Sequence, residues 1–452
     1  MASEDRIDLL SVVGMLHEHL TASLCEEVFE QVRGKERRRE LLLTTLAQFW
    51  TAVVLRAPES LTQALAEAHG QAGRPGAYPV LEVSDQAFFQ RCESMAPVFF
   101  ERLFEAFRAR LEAAHPALYG QGNREVIERF GGWVLAVDGS ALDPVARRLK
   151  VLWRDRRVPI PGTLIAFYDL SRGTLARLIY TRELQPQEGP CAREALAGLP
   201  AGALLLGDRL YGTPVFVGAA REAGLQALVR RHRNVGFREE QRLSSVEVDG
   251  ARITEWIGTY GVGPQTQGQW VRLIRCKRGS RCIELVTTVL DPKQLSAKEA
   301  LALYEERWGV ERLFYELKEV LNLNRFYAAN ANAVAMQVFA CAIVHVALKT
   351  AQGRIAHAAG LEPERLSPQK LFPRIAAASS CLTTAELTFD AVQRANPKVR
   401  LRKPDWRRMP FAYADLGDAL VEPRSRPDTR PRLRPDGRDL RMLPDPKRKA
   451  RR

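Results

Sequence analysis

Two short apolar runs, each closed by an aspartate, constrain this chain more than any other feature. Trp133-Val-Leu-Ala-Val137 follows Gly131-Gly132 and ends at Asp138-Gly139-Ser140, while Ala203-Leu-Leu-Leu206 runs into Gly207-Asp208-Arg209. Four or five consecutive apolar residues between turn-formers predict strands buried on both faces. Further strand-like runs occur at Thr163–Tyr168, Leu175–Thr181 and Leu225–Val229, with helix-like segments at Cys191–Leu199 and Pro214–Ala223. Strands first, then strand–helix alternation, predict a mixed α/β sheet.

Either aspartate alone reads as a turn-former. In an open α/β sheet, ligands bind beyond the carboxyl ends of the strands, so two such acids on separate strands suggest a shared site. A third carboxylate comes from a helix opened by the capping box Ser296-Ala-Lys-Glu299 and predicted to run to about Leu321. At about 100° per residue, Tyr304, Arg307, Glu311 and Lys318 share a strip roughly 60° wide, opposite Leu313, Leu317 and Val320. Salt bridging between Arg307 and Glu311 on an exposed face is the competing account of that strip. Three carboxylates can hold two Mg²⁺ ions about 3.5–4 Å apart, one at the attacking and one at the leaving oxygen of a phosphodiester. Mg²⁺ is hard, so no His or Cys ligand is required. No Walker loop, H-E-x-x-H, G-x-S-x-G or Rossmann glycine fingerprint occurs, which removes the common rival chemistries.

Tyr304-x2-Arg307-x3-Glu311-x6-Lys318 resembles the Y-R-E-K signature of bacterial insertion-sequence DDE transposases, the group related to the transposases of transposons five and ten. Leu285-Val-Thr-Thr288, Tyr304-Glu-Glu-Arg-Trp308 and Leu317-Lys318 are similar to that family's text. Asp138-Gly-Ser140 and Gly207-Asp-Arg-Leu-Tyr-Gly212 resemble the contexts of its first two catalytic acids. The resemblance covers Trp133 to Thr350. It implies a ribonuclease-H-like core in which Asp138, Asp208 and Glu311 are the catalytic and metal-binding triad for two Mg²⁺ ions, with Mn²⁺ as a substitute. It also implies that Tyr304, Arg307 and Lys318 contact phosphates near the cleaved strand end. The implied activity is cut-and-paste transposition: cleavage at the inverted-repeat ends and 3′-OH strand transfer into target DNA. The implied partners are double-stranded DNA and a second copy of the chain in the synaptic complex. A ribonuclease-H-like nuclease without strand transfer, and an inactive DNA-binding relative, are the alternatives.

The expected organisation is α/β: residues 1–118 helical, 119–232 the first part of the core, 233–282 a β-rich insertion, 283–352 the second part with the catalytic helix, 353–396 helical, and 397–452 a basic tail. Residues 1–118 carry three- and four-residue apolar spacing and a basic run at Lys35–Arg39, which suits either a bundle with a solvated face or a DNA-end-binding domain. Of the net charge of +14, Lys398–Arg452 holds +10, and that segment contains eight prolines. A basic tail on a near-neutral body predicts a polyanionic partner, nucleic acid foremost. Arg147, Arg148, Lys150, Arg154, Arg156 and Arg157 form one further basic cluster, and Arg230, Arg231 and Arg233 another, each a DNA channel or a solvated loop. Trp256 and Trp270 in the insertion are core aromatics of a small sheet or platforms for a flipped base.

The seven cysteines are scattered and form no C-x-x-C pair, and the N-terminus MASEDRIDLL is acidic, so a reducing, cytoplasmic setting is expected. Ala331–Ala351 is the most apolar stretch, interrupted by Gln337, His345 and Lys349, which predicts a buried helix rather than a membrane span.

Overall fold

The computed structural model describes residues 6–8, 16, 18–34, 43–70, 78–115, 124–142, 162–182, 188–261, 268–328, 330–373 and 413–415. The Arg147–Arg157 cluster and nearly all of the basic tail lie outside the described residues. The architecture is mixed α/β and divides into two compact units interleaved in sequence. The first comprises Met1–Gly122, Asp138–Cys191 and Gly309–Glu422; the second comprises Asn123–Val137, Ala192–Trp308 and Pro423–Arg452.

In the first unit, β1 (Arg6–Asp8) pairs antiparallel with β11 (Tyr413–Asp415). Helices α1 (Ala22–Val32), α2 (Leu43–Arg56), α3 (Leu61–Ala68), α4 (Asp85–Ser94) and α5 (Val98–Ala114) follow β1. Thr21, Ser60 and Ser84 cap α1, α3 and α4, each hydroxyl accepting from the third amide beyond it. The organising element is α11 (Ala331–Ala358), against which α2, α4 and α5 pack. The N-terminal helices pack on one another, α1 against α2 and α5, and also share a core with this helix near residue 340.

By length and composition, Ala331–His357 could cross a membrane, with mean hydropathy 1.8, but 89% of that window is buried within the fold. Its polar residues explain how it sits in a core. Gln337 donates to the Arg325 carbonyl at 2.7 Å and accepts from the Tyr327 amide at 3.2 Å, and Gln352 donates to the carbonyls of Pro363 and Leu366. Buried polar groups with partners cost little.

Strands β3 (Thr163–Asp169) and β4 (Thr174–Thr181) form an antiparallel pair in this unit, with a bulge at Phe167/Tyr168. β3 is buried along its whole length, as its unbroken apolar run predicted. α10 (Gly309–Tyr315) packs on β3 and passes directly into a π-helical turn, Glu316–Val320.

Strand β2 (Val134–Ala141) and helix α7 (Glu188–Leu196) each pass from one unit to the other. The second unit also contains α6 (Arg124–Glu128), β5 (Leu204–Gly207), α8 (Pro214–Glu222) and β6 (Gln226–Arg230). After these come β7 (Phe237–Val248), β8 (Ala251–Tyr260), β9 (Gln269–Arg278), β10 (Arg281–Thr287) and α9 (Ala297–Glu306). Its strand order is β2-β5-β6-β10-β9-β8-β7. β2, β5 and β6 are parallel, and β10, β9, β8 and β7 continue antiparallel. The predicted β-rich insertion is thus an extension of the same sheet. β10 joins it to the parallel strands, because Leu285 faces Arg230 on one side and Ile274 on the other.

Candidate active site

The register of β2 on β5 sets the first feature. Val134 pairs with Leu204, and the last registered pair is Val137 with Gly207. Asp138, still within β2, and Asp208, the first residue past β5, come next in sequence.

In the second unit, Asp208 opens a tight turn in which its Oδ1 accepts the Leu210 amide at 2.7 Å. Two glycines permit the turn. A Cβ on Gly207 would lie 2.7 Å from the Tyr211 Cβ, and one on Gly212 would collide with the Arg230 carbonyl oxygen. Tyr211 is fully buried and meets the Phe216 ring at 5.1 Å. Tyr260, at the end of β8, donates its hydroxyl to the Gly212 carbonyl at 2.5 Å and accepts from the His232 amide at 3.0 Å.

Tyr304, on α9, is 7% exposed, and burial pushes its hydroxyl pKa up while Arg307 and Arg230 pull it down and Asp208 adds to the rise. Asp208, Arg230, Tyr304 and Arg307 are therefore electrostatic neighbours in this unit. Arg307, 6% exposed, lies 5.9 Å from the Tyr304 ring centre and 5.3 Å from that of Trp308.

In the first unit, Asp138 is half-buried and its Oδ1 accepts the Gly139 amide at 2.8 Å. The Glu188 carboxylate lies so close to Gly139 that an added Cβ would stand 2.5 Å from its Oε2. Glu311 is half-buried on α10. At the start of that helix, a Cβ on Gly309 would lie 2.7 Å from Cε1 of Tyr168, so the glycine lets α10 approach β3. Lys318, in the π-turn, donates through Nζ to Ser140 Oγ at 2.6 Å and to the Ala141 carbonyl at 2.5 Å. Burial holds its ammonium down to about 8, with Glu319 acting the other way.

The predicted unbroken helix from Ser296 to Leu321 is corrected. The capping box forms as expected, but α9 ends at Glu306, α10 begins at Gly309, and a π-turn follows. A wheel drawn at 100° per residue assumes one unbroken helix, so it does not by itself establish a common strip for Tyr304, Arg307, Glu311 and Lys318. The structure places Asp208, Tyr304 and Arg307 in the second unit, and Asp138, Glu311 and Lys318 in the first.

Trp256 is half-buried beneath the Arg275 guanidinium at 4.7 Å, whereas Trp270 is 45% exposed. Arg231 is bound to Glu284 at 3.0 Å and to the Val235 carbonyl, which commits it to the sheet. Glu188, Tyr260, Glu316 and His345 were not singled out as site residues. His345 had left a trace, as a polar interruption of an apolar run; Glu188 and Tyr260 left none.

Among the described residues, no three His, Cys, Asp or Glu side chains converge as a metal cluster. Asp138, Asp208 and Glu311 each carry oxygen donors, the ligand type a hard divalent cation prefers.

Within the second unit, Asp208 follows the end of β5 with the buried Tyr304 and Arg307 as electrostatic neighbours; within the first, Asp138 lies in β2, whose end receives the Lys318 amine. Residues 160–347 match the family described as "Transposase DDE domain", a stretch that includes Asp208 and Glu311 and begins after Asp138. The chain is 26% identical over 157 residues to "Putative transposase y4zB" of Sinorhizobium fredii (strain NBRC 101917 / NGR234), covering 34% of this chain and 44% of that protein. It is 38% identical over 55 residues to "Putative transposase for insertion sequence element IS4SA" of Synechocystis sp. (strain ATCC 27184 / PCC 6803 / Kazusa), covering 12% and 16% respectively. The chain spans less than half the length of either relative. Within residues 160–347 the chain is thus similar to DDE transposase domains, and in part to insertion-sequence transposases.

Proposed function

We propose that the chain is a DNA transposase that cleaves phosphodiester bonds at the inverted-repeat ends of its element and joins the freed 3′-OH to target DNA. The observation that carries this reading is the parallel register, Val137 with Gly207, immediately before Asp138 and Asp208. On this reading, residues 119–232 and 283–352 form a ribonuclease-H-like core and 233–282 its β insertion. Asp138, Asp208 and Glu311 hold two Mg²⁺ ions, with Mn²⁺ as substitute. When bound, the metal lowers the cost of forming the attacking oxyanion and of charge on the leaving oxygen.

Cleavage breaks the P–O3′ bond as a water oxygen attacks phosphorus and loses its proton, freeing a 3′-OH. Strand transfer repeats the displacement with that 3′-OH as nucleophile and a target phosphodiester as electrophile. Tyr304, Arg307 and Lys318 hold the phosphates on either side of the reacting group, and charge-assisted contacts of this kind orient without taking part in bond exchange. The basic tail adds sequence-independent, salt-sensitive affinity, and residues 1–118 supply end recognition. Two ends must be brought together, which a homodimer accomplishes, and the setting is the cytoplasm at the nucleoid.

The test uses DNA duplexes cut from either side of the gene, incubated with the chain and Mg²⁺ beside Glu311→Ala and resolved on a denaturing gel. Nicked and joined strands that vanish in the variant are expected. Nicks without joined strands would make the chain a nuclease, and binding without nicks in Mg²⁺ and Mn²⁺ would make it an inactive relative.

A further inference from the structure

Glu316 begins the π-turn, and its carbonyl accepts the Leu321 amide at 2.9 Å, the i→i+5 bond that defines such a turn. Its side chain is 3% exposed and accepts from His345 Nε2 of α11 at 2.8 Å, with Lys349 Nζ 3.8 Å from the other carboxylate oxygen. Burial alone would push this carboxyl up, but Lys349, the His345 hydrogen bond and Arg312 outweigh it, leaving it at about 2. A carboxylate taken out of water persists only where its partners compensate, so this contact is specific to its geometry. His345 is fully buried; that burial lowers its pKa while Glu316 acts the other way, and its Nδ1 has no partner among the described residues.

Lys318 lies two residues beyond Glu316 in the same turn, with its amine on Ser140 and Ala141. Each residue gained or lost in a helical turn rotates the downstream residues by roughly 100°. Reverting the π-turn to α-helix would therefore swing Lys318 off the end of β2. We propose that Glu316 and His345 are positioning residues, a buried pair that locks the π-turn and thereby aims Lys318 at the end of β2, the strand that carries Asp138. The role given to Lys318 rests on the proposed function; the locking of the turn does not.

The full chain is tested as Glu316→Leu, His345→Leu and Glu316→Gln. Amide hydrogen exchange at Leu321 should accelerate about tenfold or more in both leucine variants and recover in Glu316→Gln, which keeps an acceptor for His345, while α9 is unchanged. Binding to a fluorescein-labelled duplex cut from DNA bordering the gene should weaken as it does in Lys318→Ala. No further weakening should follow when Glu316→Leu and Lys318→Ala are combined, because the pair acts through the lysine. Wild-type exchange at Leu321 in folded variants, or additive losses in binding, would overturn the proposal. If both leucine variants unfold by circular dichroism, His345→Gln decides: exchange raised about threefold or more supports the lock, and wild-type exchange defeats it. A chain with the lock intact that never cleaves DNA would defeat the proposed function alone.

Discussion

The Tyr260 hydroxyl and the Gly212 carbonyl oxygen lie 2.5 Å apart, and through this bond the last residue of β8 fixes the turn that begins at Asp208. The same hydroxyl also satisfies the His232 amide. The sheet extension is thereby tied to a candidate catalytic acid by one buried phenol.

Tyr260→Phe should therefore leave a buried carbonyl and a buried amide without their partner. Unfolding in urea is expected to show a loss of about 1–3 kcal/mol, and cleavage should fall more than DNA binding does. An unchanged midpoint would show that the turn at Asp208 holds without Tyr260.

Replacing Asp138 or Asp208 with Asn should abolish cleavage while leaving DNA affinity within about threefold of wild type, since a divalent cation needs the charged carboxylates and the phosphate grip does not. Gel-shift and cleavage assays on the same preparations separate the two effects. Normal cleavage by either variant would remove that aspartate from the site.

The Lys318 amine should titrate near 8 in the free protein, because burial disfavours its charge. Loss of the proton removes a phosphate contact, so DNA affinity should decline as pH rises through 8 in wild type and hold in Lys318→Arg. For stability the sign is opposite. The folded pKa lies below the unfolded one, so this residue's contribution to stability grows as pH rises from about 8 toward the ordinary lysine value of about 10.4. Fluorescence anisotropy across pH 7 to 9.5 checks the first expectation, and a matching series of urea midpoints checks the second.

Gly309→Ala should crowd the Tyr168 ring, which is 9% exposed and has little room to retreat. Overpacking of this kind costs about 1–3 kcal/mol, and it should displace Glu311 two residues on. A lowered melting temperature with lowered cleavage is expected, and Tyr168→Leu in the same chain should restore part of both.

The strands near the acids were legible because a buried strand is written as consecutive apolar residues: β3, β5 and β6 appear within a residue of their expected positions, whereas β2 does not stop at Asp138 but runs through it to Ala141. The break after Glu306 was not legible. Tyr304, Arg307 and Glu311 keep three- and four-residue spacing across it, and the close approach of Gly309 to Tyr168, distant in sequence, is not written locally. The extension was read as β-rich but not as part of the main sheet, since nothing local to residues 233–282 says that β10 pairs on both of its edges. Gln337 and His345 were visible as interruptions of an apolar helix, yet their partners sit elsewhere in the chain and only the fold pairs them.

The dependence of the N-terminal helices on α11 has a consequence for synthesis. At about 5–20 residues per second, α2 leaves the ribosome roughly 15–60 s before α11 does. Throughout that interval Leu46, Phe49, Trp50 and Val53, all buried in the finished fold, lack the helix they pack against. Messages cut short before residue 331 should therefore yield sticky, chaperone-bound fragments rather than free-standing helical domains.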